Sequence, residues 1–275
     1  MFTIGSDPEF FLRDSQNHLV PSFGLLGGTK TNPIATKHGF IQEDNVTAEV
    51  NSRPSSSLLE FINNHRLIIQ DLEDILEPLK LRIDISGSAL FPDELLSHPL
   101  AMIAGCEPDF SAWSMTRNKP VSYQTTNLRA AGGHLHIAFD KAKDSPMNSI
   151  AFCKAMDLEL GLPSIILDTD QERRKLYGKA GAHRLKMTTP HPDEHGNSIT
   201  DAFDGFEYRV LSNFWLKSDK LLKFVYEKVQ FIDDNLKELS EKAESIADEL
   251  VYTINEGSPE DAMILCESME VRYAA

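Results

Sequence analysis

Cysteine is scarce in this chain of 275 residues: there are three, Cys106, Cys153 and Cys266, widely spaced and with no CxxC pair among them. Neither a disulfide framework nor a cysteine-based zinc site is indicated, and a reducing cytoplasm is the expected compartment. Long hydrophobic runs are missing too. No stretch approaches the roughly 18 consecutive apolar residues of a membrane span, and the first residues lack the basic-then-apolar order of an export signal. Positive charge is in deficit, with 27 Lys and Arg against 42 Asp and Glu and a formal charge of -15. That balance argues against a surface that tracks nucleic-acid phosphates or docks on anionic lipid. No HExxH segment is present, so a zincin-type protease is not supported.

What is present is an ordinary globular composition, 41% hydrophobic and 25% charged, in a chain long enough to bury a substantial core. Residues 2 to 12 read as a strand, and 81 to 90 alternate apolar and polar as a half-buried strand does. Ser57 and Glu60 form a capping-box pattern at the head of an apolar periodicity that predicts a helix from about 57 to 79. Ser145-Pro146 begins another that runs toward Leu160, and Ser258-Pro259 a last short one. Residues 216 to about 250 are a charged amphipathic stretch, one long helix or a broken pair. Without a regular βαβ rhythm, this mixture points to α+β with a largely antiparallel sheet.

Four segments carry candidate chemistry. In "GSDPEFFLRD" (5 to 14), Asp7 and Glu9 share a strand face, roughly 7 Å apart along the strand. Two acids so placed repel unless a cation such as Mg²⁺ lies between them, although a solvated edge strand would also carry such a face. In "QEDNVTAEVN" (42 to 51), read as one strand, Glu43, Asn45, Thr47, Glu49 and Asn51 share a face and Asp44 points the other way. In "AAGGHLHIAFD" (130 to 140), His134 and His136 share a face behind Gly132 and Gly133, which permit close backbone approach. The fourth is basic: Arg173, Arg174, Lys175, Lys179, His183, Arg184 and Lys186 concentrate positive charge ahead of "FEYRV", where Glu207 and Arg209 share a face. A polyphosphate would be held there, or the cluster is a surface balancing the acidic remainder.

In their order these segments resemble the glutamine synthetase and glutamate-cysteine ligase superfamily, and within it the phage-type carboxylate-amine ligases, or amidoligases. "DPEFFL" is similar to that superfamily's Glu-Pro-Glu-Phe-Phe-Leu strand with a shorter first acid, "AEVN" to its Asn-Glu-Val segment, "GGHLHI" to its Gly-x-His-x-His strand and "FEYR" to its Glu-x-Arg pair. The resemblance implies Asp7, Glu9, Glu49, His134 and Glu207 as metal ligands. It implies Arg209 and Arg184, with Arg173, Arg174, Lys179 and His136, as contacts to nucleotide and phosphate, and Glu43 or Asp44 as the base or a further acid. The implied reaction is ATP-dependent amide or peptide bond formation between a carboxylate and an amine through an acyl phosphate. Two or three Mg²⁺ ions, with Mn²⁺ as a substitute, would serve it, and its substrates would be small molecules or peptides. The implied fold is a curved, mostly antiparallel sheet with helices on one side, residues 1-215 forming the catalytic domain and 216-275 a helical extension packed on it. The setting would be the cytoplasm, a host's if the chain is phage-encoded, and the superfamily's assemblies leave oligomerisation open. Two rivals stand beside this reading: a metal-dependent hydrolase using the His-x-His and carboxylate cluster, and a non-catalytic descendant of the fold.

Overall fold

The structure, a computed structural model, describes residues 1–102, 109–123, 126–192 and 197–273. Cys106 lies outside the described residues; Cys153 and Cys266 are buried free thiols. The fold is α+β. Its strands, in chain order, are β1 (Phe2–Ser6), β2 (Glu9–Arg13), β3 (Leu19–Val20), β4 (Ile34–Ala35), β5 (Gly39–Asp44), β6 (Thr47–Ser52), β7 (Arg82–Asp84), β8 (Ser88–Leu90), β9 (Phe110–Ser111), β10 (Leu128–Ala130), β11 (Leu135–Phe139), β12 (Ala182–Lys186), β13 (His191–Pro192), β14 (Ser198–Ile199) and β15 (Gly205–Tyr208). The helices are α1 (Leu58–Leu76), α2 (Pro146–Met156), α3 (Leu162–Leu167), α4 (Asp219–Ser245), α5 (Ala247–Glu256) and α6 (Pro259–Ser268).

Two antiparallel sheets form a curved surface. One has the order β1-β11-β15-β12-β9; the other has the order β3-β2-β6-β5-β4, with β7 also pairing with β2. The segment expected as one strand over 2 to 12 therefore breaks, and its halves serve different sheets. Pro8 supplies the reason, since it has no N–H for a ladder. Bonds continue around the break: Pro8 O accepts from Val50 N at 3.1 Å and Gly132 O from Glu9 N at 2.9 Å. The expected strand over 81 to 90 breaks in the same way at Ser86-Gly87, so that β7 joins β2 while β8 pairs with β10.

The segment 42 to 51 is a hairpin rather than one strand. Asn45 adopts φ 54°, a left-handed conformation that Asn tolerates, and β5 turns back into β6 with Gln42 opposite Glu49 and Asp44 opposite Thr47. This reverses part of the expected face: Asp44 lies with Glu49, and Glu43 points to the other side.

Helices pack behind the β1-β11-β15-β12 surface. Phe139, Phe152 and Phe206 meet there with ring centroids 4.9 and 5.7 Å apart along the series. The 57-to-79 helix ends at Leu76 in a short 3₁₀ turn; Ser57 caps it, but the Glu60 carboxylate reaches back to Ser56 instead of Ser57. The long C-terminal periodicity resolves into a broken pair, α4 capped by Ser218 and kinked at Asn235, then α5. Ser258 and Asp261 form a reciprocal capping box at α6. Leu222, Val225, Val229 and Ile232 of α4 and Leu265 of α6 belong to the same core as Ile137 and Phe206, so the C-terminal helices close the back of the sheet. No helix among the described residues is long and apolar enough to cross a membrane.

Candidate active site

The break at Asp7-Pro8 places two acids at the junction of the sheets, and each becomes the corner of its own cluster. Asp7, His136 and Glu207 bring ligand atoms within 4.8 Å of one another; Glu9, Asp44 and Glu49 do the same. Strand register builds both. Glu207 of β15 lies between His136 of β11 and Arg184 of β12, its direct cross-strand partners. Glu9 of β2 faces Glu49 of β6, which in turn faces Gln42 of β5.

In the first cluster, Asp7 Oδ1 lies 3.3 Å from both His134 Nδ1 and His136 Nε2. Arg209 donates to Glu207, and its Nη1 is 3.3 Å from His134 Nδ1; Arg184 Nη1 donates to Glu207 at 3.3 Å. Burial would raise the Glu207 carboxyl, but the Arg209 and Arg184 charges prevail and hold it well below the usual range. For Asp7, too, burial is outweighed, by the His136 and His134 charges, and its pKa is lowered. The two histidines diverge: burial and then Arg209 bring His134 down to about 4, whereas for His136 the attraction of Asp7 outweighs burial and raises it.

The second cluster has the opposite electrostatics. Burial first, then the neighbouring acids, push Glu9, Asp44 and Glu49 upward. Hydrogen bonds fix their positions: Gly132 N donates to Glu9 Oε2 at 2.7 Å, while Gln42 and Asn51 donate to Glu49 Oε1 at 2.9 and 3.0 Å. Gly132 itself must be glycine, since a Cβ there would stand 2.3 Å from His134 Nε2.

The donor sets fit divalent cations. Three carboxylates suit a hard ion such as Mg²⁺, and the carboxylate-imidazole set suits Mn²⁺ as well. Asp7 Oδ1 and His136 Nε2 are also buried, and although they stand 3.3 Å apart neither makes a well-aligned hydrogen bond among the described residues.

Acids and arginines share one cleft, lined by Glu9, Asp44, His134, Arg129, Arg173 and Arg209, with Tyr123 and Tyr177 at its side. Arg173 is buried and donates to Val210 O at 2.7 Å. Beyond His136 a second hollow of about 200 Å³ is lined by Thr3, Ser6, Asn51, Ser52 and Phe203, with no Lys or Arg.

The structure does not bring every expected residue here. The Glu43 carboxylate, on the opposite face of the hairpin, accepts the backbone N–H groups of Gly24, Leu26 and Gly27 at 2.7 to 2.9 Å and so shapes the Gly-rich loop. Arg174 donates to Ile254 O and Gly257 O, and Lys179 pairs with Glu256 at 2.9 Å; both hold the end of α5. His136 forms a tight group with Asp7 and Glu207, and the expected ligand His134 lies beside it, its Nδ1 3.3 Å from Asp7 and 3.6 Å from Glu207.

Other residues went unread in the sequence. Arg129 is buried with its guanidinium 4.2 Å from the Tyr123 ring centroid, and a lone Arg in the apolar run "NLRAAGG" was the available signal. Asp109 accepts from Arg209 Nε at 3.3 Å. Only the tertiary pairing of distant strands reveals these.

No protein-family model matches the chain, and no curated protein matches it. Among solved structures it is similar to a bifunctional glutathione synthetase from Pasteurella multocida, with a TM-score of 0.46 and 11% identity over 98% of this chain and 49% of that one. It is similar also to GmaS without ligand, TM-score 0.42 and 12% identity over 98% and 68% of the two chains, and to a glutamine synthase homolog, TM-score 0.37 and 12% identity over 98% and 65%. The chain thus spans about half the length of the first of these structures.

Proposed function

We propose that this chain is an ATP- and Mg²⁺-dependent ligase that joins a carboxylate to an amine through an acyl phosphate, of the phage-type amidoligase kind that its motifs resemble. The observation that carries this reading is the meeting of Glu9 and Asp44 with Arg129, Arg173 and Arg209 around one cleft, beside a second acid cluster that Arg209 joins through Glu207. A hydrolase needs the acids and histidines but leaves that arginine set without a task.

Asp7, His136 and Glu207 would hold one cation and Glu9, Asp44 and Glu49 another. Such ions would neutralise charge on the phosphates of the nucleotide. Arg209 and Arg173 would bind phosphate oxygens from the facing wall, and Arg209 is oriented for this by Glu207 and Asp109. Arg184 would hold Glu207 in register. His134, kept neutral by burial, can accept a hydrogen bond beside Arg209 without adding charge. Of the two further acids, Asp44 faces the cleft and would be the third ligand of that second cation, whereas Glu43 is occupied by the loop and is not placed to act on the incoming amine. The hollow beyond His136 would admit the amine or the carboxylate substrate, a small molecule or the end of a peptide.

The test is ADP release from ATP by the purified chain with panels of carboxylates and amines supplied separately and together. Release that requires both partners and Mg²⁺ is the expected result; turnover of an ester or amide without ATP would transfer the site to the hydrolase class.

A further inference from the structure

Behind the sheet, on the side away from the cleft, Asp157 is fully buried on the π-helical turn Asp157–Gly161 that links α2 to α3. Its Oδ1 accepts the Tyr208 hydroxyl at 2.7 Å and its Oδ2 the Trp113 indole N–H at 2.6 Å; the Gly181 backbone N–H also bonds to it. No cation lies within ion-pair distance of it among the described residues, since its neighbour Lys154 pairs with Glu244 and lies over the Trp113 ring. A buried carboxylate without a counter-ion is costly unless several donors compensate it.

Each of the three donors ends beside a group of the cleft. Tyr208 stands between Glu207 and Arg209 in the chain, and strand alternation sends its ring to the helices while those two face the cleft. Trp113 follows β9, and Asp109 at the head of the same segment accepts from Arg209 Nε. Gly181 immediately precedes β12, which carries Arg184, and the first residue of that strand, Ala182, accepts the Arg209 backbone N–H at 2.9 Å. Space around the hub is tight: a Cβ on Gly161 would stand 2.7 Å from the Tyr208 hydroxyl, and one on Gly181 2.6 Å from the Trp113 ring.

We propose that Asp157 is a positioning residue, which locks β15, the Asp109-to-Trp113 turn and the head of β12 together and thereby sets Arg209 against Glu207 in the cleft. The role assigned to it rests on the reading of those two residues as working groups. Burial, against the pull of its Trp113, Tyr208 and Gly181 donors, raises the Asp157 carboxyl to about 7. The groups that face it are Tyr208 of β15, Trp113 and Gly181 from their turns, and Cys153 of α2, with Lys154 beyond the indole. The hub therefore changes charge near neutrality, which gives the lock a pH signature.

The experiment uses the whole chain labelled with ¹⁵N-arginine, without nucleotide, so its outcome stands apart from the fate of the ligase reading. The Arg209 Nε–H resonance is assigned by its loss in Arg209→Lys. In Asp157→Asn it should shift, while that of Arg13, remote and paired with Asp84, stays in place. In the wild type part of its titration should fall near pH 7, and Asp157→Asn should lose that part while keeping any that comes from His136 beyond Glu207. Tyr208→Phe deletes a single donor and serves if Asp157→Asn does not fold; a smaller shift of the same resonance is expected. An Arg209 resonance unmoved by every variant that folds, or a titration curve identical in wild type and Asp157→Asn, overturns the proposal.

Discussion

Glu9 and Glu49 stand directly opposite each other on adjacent antiparallel strands. Like charges so placed destabilise a sheet, and here both carboxyls are buried and pushed upward by burial and by neighbouring acids. A fold that keeps this pair holds a cost that a cation between the acids would relieve. Glu49→Gln retains a carbonyl oxygen for Gln42 and Asn51 to donate to, and removes one charge. At alkaline pH, where both carboxyls ionise, the metal-free variant should be more stable by about 1 kcal/mol, roughly 2 °C in Tm, and should lose the stabilisation that Mg²⁺ gives the wild type. Thermal unfolding with chelator and with Mg²⁺ checks both.

The same shifts fix a pH dependence. Glu9, Asp44 and Glu49 have folded pKa values above their unfolded ones, so their contribution to stability is complete below the unfolded carboxyl range and is lost as pH rises through the folded values, about 8 for Glu9. Asp7 and Glu207, held low, act in the opposite sense but only at acid pH. The metal-free protein should therefore lose stability between about pH 5 and 8. Saturating Mg²⁺ binds the ionised carboxylates and should reverse the loss. The rise in Tm on adding Mg²⁺ should be larger at the alkaline end of that window; an equal rise at both ends would remove the buried acids from metal binding.

Arg209 joins Glu207, His134 and Asp109 through one guanidinium. Lysine cannot reproduce that planar fork. Arg209→Lys should lower the rate of ADP formation by about 10²- to 10³-fold, the range for losing one donor to a developing anion. Arg174→Ala, at the end of α5, should leave the chemistry unchanged in enzyme that remains folded, as single-turnover rates would show.

Glu43 separates a structural acid from the others. Its three backbone bonds tie residues 24 to 27 to the hairpin. Glu43→Gln loses acceptor capacity there and should cost about 1 to 3 kcal/mol in stability, read by denaturant unfolding, with Mg²⁺ and nucleotide affinities unchanged.

Much of this arrangement is legible in the chain. The pairs His134 with His136 and Glu207 with Arg209 share their faces as spacing alone says, because period-two alternation assigns faces without tertiary information. The helix starts at Ser57, Ser145 and Ser258 were readable from local capping chemistry. Alternation fails where the chain turns inside a polar run. The Asn45 turn exchanges Glu43 and Asp44 between faces, and Pro8 splits a strand between two sheets. Charge clustering was a poorer guide still: Arg173 and Arg174 are adjacent, yet one lines the cleft and the other caps α5, because the 3₁₀ turn Glu172–Lys175 sends neighbours in different directions. Arg129, Asp109 and Asp157 reach their places through contacts between distant segments.

The most direct test of the account is calorimetric titration of the folded protein with a non-hydrolysable ATP analogue, with and without Mg²⁺. The account expects binding that requires Mg²⁺ and is weakened in both Glu9→Gln and Glu207→Gln. Absence of binding in either condition, or equal affinity with and without Mg²⁺, would contradict it.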